Sequence, residues 1–141
     1  MRGAEVQTGV MASSTSVARA QGRVLTLRTS DGTTVCEFCV VADNPPRRLR
    51  GLLGRKGLNQ GEGLLIQPTH AIHMWFMRFP IDAVFIDRDG QVLRIAEHLP
   101  PWRMAAQRGA RCVLEIASGE AARCGLAVGD RLVMNPAVTV Q

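Results

Sequence analysis

Short apolar segments separated by strong turn signals run through most of this chain, and this pattern limits the folds it can adopt. After residue 22, short runs rich in Val, Ile, Leu and Phe alternate with breaks rich in Gly, Pro and Asp. Such runs have the length of β-strands, and Asp31-Gly32 between two of them is a typical hairpin turn. Strands are therefore predicted at 23–30, 33–42, 63–67, 70–78, 81–87, 91–97, 112–117 and 131–134.

Two segments have the pattern of short helices. Asn44 can cap a helix that runs to about Lys56, with its leucines on one side and its arginines on the other. Residues 119–124 predict a second helix, ended by Gly125, whereas the proline-containing segment 98–111 predicts a long loop. The expected fold is α+β and mainly β, a compact, partly closed barrel-like domain of short strands with two short helices.

The length of 141 residues fits one domain. Residues 1–22 are small, polar and non-periodic, which predicts a disordered N-terminal tail before a single domain over 23–141. This tail lacks the apolar centre of a secretory signal, and no apolar run reaches the roughly 18 residues of a membrane-spanning helix. We therefore expect a cytoplasmic protein that does not enter a membrane, and a monomer.

The charge balance is basic, with a net charge of +5, but it does not by itself predict nucleic-acid binding. The chain has no Tyr, four Phe and two Trp. Modules that stack bases need exposed aromatic rings, and few rings are expected to be spared from the core. Specific nucleic-acid binding is therefore not expected, although the arginines leave weak electrostatic contact with phosphates open.

Polar residues within apolar segments are the candidates for a site. Asp82 and Glu115 stand among strand-forming apolar residues, where a carboxylate needs a cation or several hydrogen-bond donors. Arg78 is the nearby cation, so these three residues are candidates for one polar cluster. A structural ion pair is one interpretation. A ligand pocket is the other, with an anion on Arg78, a proton or hydrogen bond from His73, and Met77 on the same predicted strand face as His73.

The four cysteines do not have the spacing of a redox or zinc site. Cys36 and Cys39 form a CxxC inside a predicted strand, where regular alternation would place their sulfurs on opposite faces. Cys112 and Cys124 make no second CxxC, so a zinc ribbon is not indicated. Four free, mostly buried thiols are expected, and neither a metal nor a cofactor is predicted.

Several motifs occur in a characteristic order. They are GLLGR (51–55), EGLLI (62–66), IHMWFMRFPIDAVFID (72–87), DG (89–90), VLEIASG (113–119) and GLAVGD (125–130). Their order resembles the DUF192 family from about Asn44 to Met134, and the run at 77–82 is its most specific element. The resemblance implies a mostly β domain. It implies no established activity, because the family is named for lacking one.

Three functions follow from these residues as hypotheses. The first is a non-catalytic binding module for a small anionic ligand or a protein partner, centred on His73, Arg78, Asp82 and Glu115. The second is a hydrolase-like enzyme that uses the same residues, which ranks lower because no nucleophile–base motif is recognisable. The third is an electrostatic adaptor that would dock an acidic partner or phosphates through the predicted helix. Its basic surface consists of Arg47, Arg48, Arg50 and Arg55.

Overall fold

Nine strands and one short helix make up the parts of the chain that the computed structural model describes, residues 23–43 and 57–137. The elements are β1 (Val24–Thr29), β2 (Thr34–Ala42), β3 (Glu62–Ile66), β4 (Ala71–His73), β5 (Ile81–Ile86), β6 (Val92–Leu99), β7 (Met104–Ala106), β8 (Cys112–Ala117), α1 (Glu120–Arg123) and β9 (Leu132–Pro136). Each predicted strand overlaps an observed one. The predicted tail, and the predicted helix with Arg47, Arg48, Arg50 and Arg55, lie outside the described residues.

Seven of the strands form one sheet in the order β6-β5-β8-β3-β2-β1-β9, in which only the β2–β3 pair is parallel among the described pairs. The two edge strands meet at one end, where Gln91 bridges Arg131 and the Val92 N–H donates to the Asp130 carbonyl at 2.8 Å. The sheet is thus a curled half-barrel. The mainly β prediction is confirmed, and the predicted partly closed barrel fits only roughly.

The sheet buries apolar side chains on both of its faces. One face, called here the α1 face, packs against Ala121 and Leu126. The other, called the small-sheet face, packs against Ile72 of β4 and Ala105 of β7, which pair as a separate two-stranded sheet. All six residues of β5 are buried, and they alternate between these two cores. The side chain of a residue on β5 or β8 therefore faces one core or the other.

Two predictions about local structure are wrong. The predicted strand 70–78 ends at His73, because the following residues turn and Phe76 adopts a left-handed backbone with φ of 67°. The predicted loop 98–111 contains β7, which pairs antiparallel with β4.

Of the two predicted helices, the one at 119–124 is present as α1. No helix in the described ranges is long and apolar enough to cross a membrane.

The predicted placement of the CxxC sulfurs is also wrong. Cys36 and Cys39 are both fully buried in the core of the α1 face. On β1, Leu27 pairs with Cys36 and Leu25 with Cys39, so β2 carries one extra residue over this stretch. Such a bulge turns the following side chains to the other face of the strand. The expectation of free thiols is confirmed for all four cysteines, three of them buried.

Candidate functional site

Asp82 is buried at the start of β5 and is fully occupied by backbone donors. Its Oδ1 accepts the N–H of His98 at 2.9 Å, and its Oδ2 accepts the N–H groups of Gly119 at 3.0 Å and Ala121 at 2.9 Å. Three such hydrogen bonds satisfy a buried carboxylate without a cation. Asp82 therefore joins the end of β6 to the beginning of α1, which is a structural role.

The three residues considered for one polar cluster do not come together. Across the β5–β8 pair, Asp82 faces Ile116 and Ala83 faces Glu115, so the two carboxylates point to opposite faces of the sheet. Arg78 is exposed, and no ion pair joins it to either carboxylate in the described parts of the chain. The joint cluster of Arg78, Asp82 and Glu115 is thus excluded by strand register, which the sequence alone does not give.

Glu115 lies on the small-sheet face of β8, between Leu64 of β3 and Ala83 of β5. It is 6% exposed, and no described residue donates a hydrogen bond to its side chain. Burial raises the pKa of this carboxyl group to about 8. At neutral pH Glu115 is therefore mainly a neutral carboxylic acid inside an apolar core, and no cation among the described residues pairs with it.

The remaining two candidates are separated as well. Met77 is 9% exposed and packs into the core of the small-sheet face. His73, at the end of β4, is exposed and stacks on Trp75 with ring centroids 5.6 Å apart. His73 therefore lies on an accessible surface, together with the neighbouring Trp75.

That surface is an aromatic patch, defined here as His73, Trp75, Phe76, Trp102 and Met104. The Trp102 ring lies 6.0 Å from that of Trp75 and 5.0 Å from that of Phe76, the latter edge to face. Met104 is the cross-strand partner of His73 on β7, so its side chain lies on the same side of the small sheet. Two loops that are distant in sequence thus build one continuous apolar surface.

The patch is unusually exposed for its residue types. The exposed fraction is 70% for Phe76, 56% for Trp102 and 64% for Met104. Phe76 and Trp102 both adopt left-handed backbones, with φ of 67° and 68°. For a bulky residue this conformation costs on the order of 1–3 kcal/mol and persists only where the surroundings enforce it. Two strained backbones therefore present two aromatic rings to solvent.

Buried contacts beneath the patch hold its two loops together. The Met74 N–H donates to the Arg103 carbonyl at 2.7 Å, and the Trp102 N–H donates to the Met74 carbonyl at 2.8 Å. Met74 is 1% exposed and anchors the first loop in the core of the small-sheet face, as Met77 does two residues after Trp75. Backbone hydrogen bonds and buried methionine side chains therefore hold in place the two loops that carry the exposed rings.

Two arginines lie close in sequence to residues of the patch. Arg78 follows Phe76 by two residues, and Arg103 follows Trp102 directly. Both side chains are exposed, and neither forms an ion pair within residues 23–43 and 57–137. No three His, Cys, Asp or Glu side chains gather closely enough in those ranges to hold a metal ion. The exposed apolar area of the patch is thus accompanied in sequence by two guanidinium groups that no described carboxylate pairs with.

Sequence reasoning missed this surface because it assigned Phe76 to a strand face and Trp102 to a loop of no stated role. The premise that nearly all aromatic rings are needed in the core is wrong for both residues. Two sequence motifs together could have indicated this exposed surface, namely Trp75-Phe76 and Pro100-Pro101-Trp102. An aromatic residue after two prolines lies in an exposed turn more readily than in a core strand.

Comparison with known proteins gives a family but no activity. The structure resembles that of a protein of unknown function from Novosphingobium aromaticivorans, with a TM-score of 0.67 and 25% identity over 78% of this chain and 83% of that one. It also resembles a Sinorhizobium meliloti protein described as a candidate transcription regulator, with a TM-score of 0.67 and 29% identity over 79% of this chain and 92% of that one. No curated protein matches significantly. The model of DUF192, described as an uncharacterised ACR, matches residues 25–134, and the chain therefore belongs to the DUF192 family.

Proposed function

We propose that this protein is a non-catalytic binding module that docks an acidic protein partner on its aromatic patch. The observation that carries the proposal is the contiguous exposure of Phe76, Trp102 and Met104. Single exposed apolar residues are ordinary, but a contiguous group of them marks an interaction surface. Aromatic residues and Met are enriched at the centres of protein interfaces, where they supply much of the binding energy.

The charge next to the patch supports an acidic partner. Arg78 and Arg103 carry positive charge that no described carboxylate neutralises, and the whole chain has a net charge of +5. Complementary charge around an apolar centre speeds encounter and disfavours partners of the wrong sign. Carboxylate groups at the rim of the partner would pair with these guanidinium groups and leave the apolar centre to the aromatic rings.

The alternatives have less support from the geometry. A hydrolase-like mechanism on His73, Arg78, Asp82 and Glu115 needs these groups at one point, whereas they are distributed over two sheet faces and the surface. The adaptor surface of Arg47, Arg48, Arg50 and Arg55 lies outside the described residues. The description of the Sinorhizobium meliloti protein makes duplex DNA the macromolecule to test against a protein partner.

A comparison of patch variants tests the proposal. Phe76→Ser/Trp102→Ser removes both exposed rings, and Val128→Ser removes a 63% exposed apolar residue outside the patch as the control. In quantitative capture from a lysate of the source organism, we expect an acidic protein to be retained by the wild type and the control. Its affinity for the double variant should be lower by at least about tenfold in a purified assay.

Two results would contradict the proposal. One is capture of the same proteins, in the same amounts, by the wild type and by the folded double variant. The other is binding of duplex DNA that requires Phe76 and Trp102, which would assign the patch to nucleic acid instead. Arg78→Gln/Arg103→Gln should weaken binding mainly at low salt, because exposed charges are screened as the salt concentration rises.

A further inference from the structure

We propose a second binding site, separate from the aromatic patch: a cavity of about 280 Å³ that takes a small zwitterion of the α-amino acid class. The cavity lies where the turn after β5 meets the start of β8 and the strand β9. Its wall includes Cys112, Leu132 and Met134, and its polar lining includes Arg88, Arg111 and Asp89. This combination provides charges of both signs beside a short apolar surface.

The two arginines are available to an anionic group. Arg88 and Arg111 are exposed, and neither guanidinium forms an ion pair or a side-chain hydrogen bond with any described residue. Guanidinium groups bind carboxylates through paired N–H donors. Because the two arginines come from different elements, the β5–β6 turn and the start of β8, they converge on the cavity through the fold rather than through sequence proximity. Both guanidinium groups are therefore available at one cavity to a ligand carboxylate.

The two aspartates in the lining are not equivalent. Oδ1 of Asp87 accepts the N–H groups of Asp89 and Gln91, both at 2.9 Å, and so maintains the turn. The carboxylate of Asp89 has no such bond to a described group and is exposed at the cavity. It is therefore free to receive a ligand ammonium group. This negative charge also disfavours a ligand that carries only negative charge, such as inorganic phosphate.

The size and the wall restrict the ligand further. Ligand cavities in proteins usually have volumes of about 300–1,000 Å³, so this cavity is at the small end. Leu132 is 4% exposed and Met134 is partly buried against the same core, so the apolar part of the lining is small and suits a short aliphatic side chain. An α-amino acid with a small aliphatic side chain meets all three requirements: carboxylate, ammonium and short apolar group.

Backbone-amide NMR titration of the full chain tests the site with three matched probes. L-Leucine carries both charges, 4-methylpentanoate lacks the ammonium group, and 3-methylbutylamine lacks the carboxylate. We expect saturable shifts for L-leucine at the amides of Gly90, Cys112 and Leu132, and affinities at least about tenfold lower for the other two probes. Absence of saturable shifts from L-leucine up to about 10 mM, or equal affinity for 4-methylpentanoate, would overturn the assignment.

Variants locate the binding on the proposed side chains. Arg111→Gln and Asp89→Asn remove one charge of each sign, and Arg108→Gln removes an exposed charge outside the cavity. Binding of L-leucine should fall at least about tenfold in the first two variants and stay unchanged in the third. Unchanged binding in folded Arg111→Gln, or in Arg88→Gln if that variant does not fold, would also overturn the proposal. Loss of the aromatic patch should leave L-leucine binding intact.

Discussion

Asp82 and Glu115 stand one register step apart on the adjacent central strands β5 and β8, and they point to opposite faces of the sheet. Asp82 meets three backbone N–H donors on the α1 face and is satisfied as a carboxylate. Glu115 meets apolar neighbours on the small-sheet face and is retained mainly as a neutral acid at pH 7. Two buried carboxyl groups thus have different chemistry because one residue of register separates them.

Replacement of Asp82 by Asn should destabilise the fold by at least about 2 kcal/mol. An amide offers one oxygen, whereas Oδ1 and Oδ2 of Asp82 together accept three N–H groups. The amide NH₂ would face donors on at least one side, which leaves a buried N–H unpaired. Urea denaturation measures the loss, and Glu97→Gln, an exposed change in β6, is the control, expected within about 0.5 kcal/mol of wild type.

One result for Asp82→Asn would contradict this prediction. An Asp82→Asn protein as stable as the control would show that the three hydrogen bonds to Asp82 contribute little. It would return Asp82 to the set of ligand-binding candidates, because removal of a charge from a functional site often leaves stability unchanged or higher.

The unfolding free energy should fall as the pH rises from about 5 to 8, owing to Glu115. In the folded protein burial raises the pKa of Glu115 to about 8, whereas an unfolded glutamate has its ordinary value of 4.5. Between these values the folded state binds one more proton than the unfolded state, so stability declines with increasing pH. The stabilisation by protonated Glu115 is fully present below the pKa that Glu115 has in the unfolded chain. It is lost as the pH rises through the pKa that Glu115 has in the folded protein.

Glu115→Gln isolates this effect, because glutamine is uncharged at every pH. Relative to wild type, the variant should gain stability from pH 5 to pH 8, by about 2 kcal/mol or more. Urea denaturation at a series of pH values measures the difference, with Glu97→Gln as the exposed control. If the difference between Glu115→Gln and wild type does not change with pH, Glu115 is not protonated in the folded state.

Native thiol labelling should be confined to Cys124. Burial raises the pKa of Cys39, and burial together with the nearby Asp87 carboxylate raises that of Cys112 to about 11, so few reactive thiolates form at pH 8. Burial raises the pKa of Cys124 as well, so it is set apart by its exposure, as the one half-buried thiol beside three buried ones. With a disulfide reagent we expect at most one thiol to react quickly, four after denaturation, and no quick phase in Cys124→Ser. Two quick thiols in the native protein would contradict this account.

The existence of the strands could be predicted from sequence, but their arrangement could not. Apolar runs and turn residues located β5 and β8 to within about a residue, since both strands are mostly apolar and bounded by breaks. Their antiparallel pairing and register, which separate Asp82 from Glu115, depend on the whole sheet. No local pattern encodes that β8 lies between β5 and β3.

Local backbone departures account for two further differences. A bulge in β2 brings Cys36 and Cys39 to one face, and a left-handed residue at Phe76 ends what alternation predicts as a continuing strand. Neither position has the Gly or Asn that usually signals such geometry. The candidate site was therefore predicted only in part: His73 lies in the aromatic patch, and Trp102 was missed because it comes from a second loop.

The closure of the half-barrel should depend on the absence of a side chain at Gly90. A Cβ at this position would lie 2.6 Å from the Leu132 carbonyl oxygen, which is backbone and cannot move aside, and the φ of Gly90 is +88°. Gly129 has a similar φ of +99° but open space around its Cβ position, so Gly129→Ala measures the cost of backbone strain alone. That cost is about 1–2 kcal/mol.

Gly90→Ala adds the collision with the Leu132 carbonyl oxygen. It should also weaken the hydrogen bond from the Leu132 N–H to the Gly90 carbonyl, which is 2.8 Å long and lies beside the Gln91–Arg131 bridge. We therefore expect Gly90→Ala to lose at least about 1 kcal/mol more than Gly129→Ala in urea denaturation, with faster amide hydrogen exchange at Leu132. Equal losses in the two variants would mean that β9 can move away from the turn, and that the contact between the two sheet edges is not a fixed part of the fold.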